Sequence, residues 1–366
     1  MTDHHHRRRR VPRLAGAALL AIALGAGALP AAAQSPAAGS PPAGSPAPGD
    51  AYPVTIPHKY GETVITQRPE RVVTVGLTDQ DPFLALGLAP VGVTEWFGEQ
   101  PHGAWPWAAP LLGDATPQVL RAPDGIDFES VTALDPDLIV GLYSGMTQEE
   151  YDTLSQIAPT VAQPAEYPDW GIPWQQQTML VGQIVGRTAE AGQLVGSVEG
   201  LFGQIQGRYP EFAGKSAVVA TPYEGIFVYG PEDVRGRLLT RLGFTLPEGL
   251  AEVTGGTYGG NLSEEHVDML DVDAIIWLDG ANVDGLGGPL YATLPVHTEG
   301  REVFLSSYDD PLGGATSFVT VLSLPYLLEG LAPRLALAVD GDPATVVPLS
   351  SAAPAASVEP AVSSAP

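Results

Sequence analysis

Two glutamates, Glu129 and Glu265, hold the same place in two copies of one short pattern. Glu129-Ser-Val131-Thr-Ala-Leu134-Asp135-Pro-Asp137-Leu-Ile139 aligns without a gap on Glu265-His-Val267-Asp-Met-Leu270-Asp271-Val-Asp273-Ala-Ile275, with six identities at one constant offset. In each copy a helix carries Val and Leu inward, and the Asp-x-Asp falls in the turn into a strand. A carboxylate in a first helical turn suits the positive end of the dipole, so the pair can be read as helix-start acids. It can also be read as one docking charge per half, meeting arginines on a two-part partner. Other chemistries find less support. His58, His102, His266 and His297 show no metal-ligand spacing. Gly214-Lys-Ser216 lacks the first glycine of a phosphate loop, because residue 209 is Tyr, and it opens a strand. Gly141-Leu-Tyr-Ser144-Gly145 misses the nucleophile-elbow spacing by one residue. The acids give no locatable acid/base pair, and no enzyme is expected. With no cysteine, disulfides, thiol chemistry and a lipid-modified N-terminal cysteine are all excluded.

The elements that must position these residues form two similar series around one long helix. Apolar residues at Ala191, Leu194, Val195, Val198, Leu201, Phe202 and Ile205 line one helical face over 188–209. Thr188 is placed to cap it and Pro210 to stop it. Its length is roughly 30 Å. Five glycines, at 192, 196, 200, 203 and 207, each cost about 1 kcal/mol relative to alanine, so the helix needs packing on its apolar face. Before it, Arg71–Gly76 reads as a buried strand, followed by a helix through Phe83 and Leu86 and a strand over Pro90–Thr94. An aromatic loop comes next, then a helix over Phe128–Leu134 and a strand over Leu138–Gly141. After it, Ser216–Thr221, a helix over Val234–Leu242 and the strand Ile275–Leu278 repeat the scheme. Strands alternating with helices predict parallel pairing. Trp277 belongs to a strand core; Trp170 and Trp174, in a Pro-flanked loop, suit a pocket rim or a seam between halves.

The ends read differently. Arg7–Arg10 and Arg13 precede an apolar run and Ala31-Ala32-Ala33, which predicts an export signal over 1–33 with cleavage before Gln34. A Pro/Ala/Gly/Ser-rich leader is expected over 34–52 and a tail of similar composition over 343–366. Between them stand a first lobe over 53–187, the connecting helix over 188–209 and a second lobe over 210–342. The formal net charge is −25, and loss of the signal would remove five arginines and one aspartate. Such an acidic chain is a poor partner for nucleic acid or anionic lipid. It suits a soluble, unlipidated monomer on the outer side of the membrane.

Two duplicated α/β lobes joined by one long helix in an exported chain resemble the helical-backbone (class III) substrate-binding proteins. These serve ATP-driven importers of ferric siderophores, haem and cobalamin. The resemblance spans about residues 68–342. It rests on Pro69-Glu-Arg-Val-Val-Thr-Val, Leu84-Ala-Leu-Gly-Leu-Ala-Pro-Val-Gly-Val93, Phe128-Glu-Ser-Val-Thr-Ala-Leu-Asp-Pro-Asp-Leu-Ile-Val140 and Ala158-Pro-Thr-Val161. It is closest to the ferric-siderophore branch through Asp79-Gln80-Asp81 and the Tyr308–Ser317 segment. The resemblance implies a fold of two α/β lobes with central parallel sheets and a ligand cleft between them. It also implies docking of Glu129 and Glu265 onto arginine pockets of an ABC permease dimer.

Within that fold the site belongs at the carboxyl ends of the strands. Trp96, Trp105, Trp107, Arg121 and Tyr143 are the first-lobe candidates. Arg121 resembles an arginine of hydroxamate-binding relatives, with a spacing about two residues longer. Tyr258, in Tyr258-Gly-Gly-Asn-Leu-Ser263, matches a second-lobe aromatic ligand residue, while Tyr229, Arg235 and Tyr308 are placed by their loops. Aromatic faces would bury a ferric siderophore's apolar rim and arginines would meet its chelating oxygens. No protein atom need bind iron, and no cofactor or protein-held metal is expected. Few arginines near the cleft favour a neutral hydroxamate. Haem, with His102 or Tyr143 as a conceivable axial ligand, and cobalamin are the alternatives within the class. A cell-surface interaction protein with this fold and no transport role is the alternative outside it.

Overall fold

The computed structural model describes residues 52–121, 125–279, 288–308 and 310–349. The expected signal, nearly all of the leader and the tail beyond residue 349 lie outside the described residues. Tyr52, the last leader residue, is packed, its hydroxyl donating to the Ile184 carbonyl at 2.8 Å.

The first half opens with an antiparallel hairpin, β1 (Val54–His58) and β2 (Gly61–Ile65), which the sequence did not announce. Then come β3 (Val72–Thr74), α1 (Gln80–Ala85), β4 (Gly92–Thr94), β5 (Gln118–Leu120), α2 (Phe128–Ala133), β6 (Leu138–Gly141), α3 (Gln148–Leu154), β7 (Thr160–Ala162) and α4 (Trp174–Val185). Strands β5-β4-β3-β6-β7 form one sheet, parallel throughout. All residues of β3, β6 and β7 are buried, as expected of strands covered on both faces.

The connecting helix α5 runs from Thr188 to Arg208. Its start differs by one position from the sequence reading, since Arg187 and not Thr188 occupies the cap. Ala191, Val198, Phe202 and Ile205 are buried. A Cβ at any of the five glycines would meet nothing within 4 Å, so they line the outward face and the buried stripe offsets their backbone cost. Gly182 of α4 has the opposite reason for its type: a Cβ there would lie 2.5 Å from that of Ala191, so its absence lets α4 and α5 approach.

The second half contains β8 (Ala217–Pro222), β9 (Ile226–Tyr229), α6 (Val234–Leu242), α7 (Leu250–Val253), β10 (Gly259–Leu262), β11 (Ala274–Leu278), α8 (Gly288–Tyr291), α9 (Pro295–Thr298), β12 (Glu302–Leu305), α10 (Pro311–Phe318) and α11 (Ser323–Ala338). Its sheet runs β10-β9-β8-β11-β12. Only β8, β11 and β12 are parallel; β9 and β10 are antiparallel. The departure from full parallel pairing is local. Three residues, Tyr223–Gly225, join β8 to β9, with positive φ at Glu224 and Gly225, whereas a parallel crossover needs about a dozen. The second Glu/Asp copy also differs: Glu264–Leu270 winds as a 3-10 helix, while α2 is α-helical. Trp277 is core, its indole donating to Glu302 at 2.9 Å and Tyr291 at 3.0 Å.

The duplicated aspartates have a structural task. Asp137 accepts the backbone N–H groups of Glu70 and Arg71 at 2.7 and 2.9 Å, holding the chain that enters β3. Asp273 accepts the Ser216 N–H at 2.8 Å and the Lys215 ammonium at 2.9 Å, at the entry to β8. One apolar core runs through both halves, from Ile56 and Val181 through Phe202 to Leu238 and Leu331. Smaller clusters lie beneath α2 and beneath the 264–270 turn.

Candidate ligand-binding site

Strand β4 ends at Thr94, which sets Trp96 and Phe97 at its carboxyl end. Trp105 and Trp107 follow on a loop between two 3-10 turns and stack face to face, centroids 5.2 Å apart. Trp105 is the buried member, edge-on to Phe97 at 5.5 Å and Phe318 at 5.9 Å. Gly98 and Gly314 make room for it, since a Cβ at either would stand within 2.6 Å of its ring. Phe318 ends α10 of the second half and also touches Trp96 and Trp107, so this cluster joins the lobes. Tyr308 stands at its rim, 64% exposed and 5.9 Å from Phe97.

A buried carboxylate fixes Trp107. Asp81 accepts the Trp107 indole N–H at 2.9 Å, and the Thr320 hydroxyl from the second half donates to the same oxygen. Asp79 accepts the N–H groups of Leu142 and Tyr143 and the Gln177 amide, which sets Tyr143 just past β6. Burial raises both Asp79 and Asp81 to about 6. It also pushes the Tyr143 phenol well above its ordinary range.

From the second half, β9 supplies Tyr229 and the first turn of α6 supplies Arg235. Asp233 caps that helix through the Arg235 N–H at 2.8 Å and holds the guanidinium at 2.9 Å. The Arg235 guanidinium lies 4.0 Å from the Tyr229 ring centre and 6.0 Å from that of Trp96, which in turn is 6.2 Å from Tyr143. Its Nε is buried without a hydrogen-bond partner. Tyr258, 40% exposed, meets Trp170 of the first half at 5.7 Å and Phe227 at 5.8 Å.

The structure thus brings together Trp96, Trp105, Trp107, Tyr143, Tyr229 and Arg235, with Tyr308 and Tyr258 at the margins. Arg121 is separate: exposed past β5, it pairs with Glu95 at 2.9 Å. Of the two loop tryptophans, Trp170 stands at the lobe seam and Trp174 is buried as the first residue of α4. Sequence reasoning missed Phe97, Phe227, Phe318 and Thr320. Phe97 adjoins Trp96 and Phe318 adjoins the Tyr308–Ser317 segment, and only chain folding tells which neighbour faces the seam. A cavity of about 300 Å³ opens elsewhere, between Trp174, Phe202, Leu238 and Arg241. None of the residues expected to bind ligand lines it, although neighbours of Arg235 on α6 do. Glu129 and Glu265 are exposed on their helices.

Residues 72–293 match the family model described as periplasmic binding protein. A periplasmic solute-binding protein of Mycobacterium smegmatis superposes with a TM-score of 0.65 at 35% identity, over 78% of this chain and 98% of the other. The iron-uptake substrate-binding protein PiaA of Streptococcus pneumoniae superposes at 0.67 and 26%, over 78% and 99%, and has also been solved in complex with ferrichrome. The ferric-anguibactin-binding protein of Vibrio anguillarum is 23% identical over 269 residues, 70% of this chain and 80% of that protein. With more than half of its length matched, this chain belongs to the periplasmic binding protein family.

Proposed function

We propose that the protein captures a ferric siderophore between its lobes and delivers it to the permease of an ABC importer. The observation that carries this reading is Arg235, a second-lobe guanidinium lying against Tyr229 and toward the first-lobe Trp96, with a buried Nε–H that has no acceptor among the described residues. A guanidinium beside aromatic faces suits a chelating oxygen on a compact complex with an apolar rim. The ferrichrome complex of PiaA and the ferric-anguibactin-binding relative support the ligand class. In this reading the siderophore supplies the iron ligands, and the protein is a carrier and not an enzyme. Export behind the N-terminal signal, a soluble monomer and a permease dimer met by Glu129 and Glu265 complete the proposal. With no cysteine, the chain offers no site for lipid on a terminal thiol.

The test is a tryptophan-fluorescence titration with ferrichrome and iron-free ferrichrome, with haem and cobalamin as competing ligands. Quenching by the ferric complex, weaker for the iron-free form and weakened about tenfold or more by Arg235→Ala, is expected. Equal affinity with and without iron, or no effect of Arg235→Ala, would overturn the reading.

A further inference from the structure

Four cations near the aromatic seam each have their own carboxylate. Arg235 is held by Asp233 at 2.9 Å, and both are buried. Arg121, beyond Trp96, pairs with Glu95 at 2.9 Å. Arg237, whose guanidinium also donates to the Gly171 carbonyl beside Trp170, pairs with Glu232 at 2.8 Å. Lys59 pairs with Asp169, the other neighbour of Trp170, at 2.7 Å. These four pairs therefore add no surplus positive charge. The seam does carry Asp81, buried against Trp107 with one carboxylate oxygen unpartnered. What Arg235 keeps for a ligand, with Asp233 holding Nη1, is its other guanidinium N–H groups, the buried Nε–H among them, beside two aromatic walls.

We propose that the cleft selects an electrically neutral ferric complex, of the trihydroxamate class, and discriminates against trianionic tris-catecholates. This rests on the siderophore reading above. Three hydroxamates, each singly deprotonated, cancel the charge of Fe³⁺; three doubly deprotonated catecholates leave three negative charges over. A neutral complex needs its rim buried and one or two partially charged oxygens met, which the aromatic walls and the unpaired N–H groups of Arg235 provide. A trianion would enter a low-dielectric seam lined by carboxylates already bound to the cations. For Arg235 to turn its full charge to such a ligand, its pair with Asp233 would have to open, stranding a buried acid. Discrimination thus arises from pre-paired cations and not from shape.

The experiment titrates the purified protein with ferrichrome and with a synthetic ferric tris-catecholate, reading tryptophan quenching. We expect ferrichrome to bind about 100-fold tighter or more. Asp233→Asn, which frees the charge of Arg235, should narrow that ratio about tenfold. Glu95→Gln frees Arg121 at the protein surface, away from the core, and should narrow it less. A tris-catecholate bound as tightly as ferrichrome, or a ratio that neither substitution moves, overturns the charge assignment while leaving the siderophore reading intact. Quenching by neither chelate overturns both.

Discussion

Asp79 and Asp81 make the stability of this protein depend on pH in a direction opposite to most carboxylates. Each stands near 3.8 in the unfolded chain and is raised by burial to about 6 in the folded one. A raised carboxyl binds its proton more tightly when folded, so its contribution is fully present below the unfolded value and is lost as pH rises through about 6. Between pH 5 and pH 8 linkage gives about 1.4 kcal/mol for each group. Asp81→Asn removes one of the two. His58, held below its ordinary value by burial, acts the other way in the same window, since it must charge on unfolding at low pH. The quantity to compare is therefore the change in unfolding free energy from pH 8 to pH 5, in the parent and in Asp81→Asn, by urea titration followed through tryptophan emission. The variant should gain about 1.4 kcal/mol less on acidification than the parent. Equal gains would mean that Asp81 titrates as an exposed acid, and the buried Trp107–Asp81–Thr320 contact would not exist as described.

Other outcomes follow from particular contacts. Gly236→Ala puts a Cβ 2.3 Å from the Gly230 carbonyl, so it should lower stability by about 1–3 kcal/mol and weaken ferric-chelate affinity with it, because Arg235 is the adjacent residue. Phe202→Ala, buried on α5 at the centre of the shared core, should cost about 3–5 kcal/mol in denaturant unfolding. Glu199, on α5, accepts Gln175 from α4 at 2.8 Å and the Arg241 guanidinium from α6 at 2.9 Å; Glu199→Ala should speed amide exchange in α6 and leave chelate affinity nearly unchanged. Glu129→Ala with Glu265→Ala should leave stability within about 0.5 kcal/mol and ligand affinity intact while uptake by cells is lost; a loss of affinity would instead place these carboxylates at the ligand.

The elements that were legible in the sequence are those with strong local signals. Helix α6 ends at Gly243 in a left-handed cap, and α5 shows the apolar stripe that its packing requires. The strands β3, β6 and β11 are continuous apolar runs buried on both faces. The antiparallel edge β9–β10 was illegible because a three-residue link is a matter of exact strand ends, which shift by a residue or two in any sequence reading. Helices α4 and α11 went unread because they are buried over much of their surface and carry no clean polar face. At the site, Arg235 and Tyr229 were reachable as residues at strand and helix ends. Their meeting with Trp96 was not, since no local pattern encodes a contact between residues 96 and 235. Arg121 failed to join them for a local reason: Glu95, one residue before Trp96, captures it first.

The internal repeat separates into two tasks once its acids are followed to their partners. Asp137 and Asp273 lock the entries of β3 and β8 through backbone N–H groups. Glu129 and Glu265, eight residues earlier, stay exposed although the neighbouring Val131 and Val267 are buried beneath them. Each glutamate therefore rides on a short turn pinned at one side by a buried valine and beyond its end by a clamped aspartate. Pinned in this way, the two carboxylates hold fixed positions relative to their own sheets, and both sheets pack through one core onto α5. Exposed charges are individually weak, but two at a set separation define an orientation. Folding alone asks for the aspartates and valines at these positions. Glu129 and Glu265 each suit the first turn of their helix, and in the proposed reading the same exposed pair also meets a two-point partner.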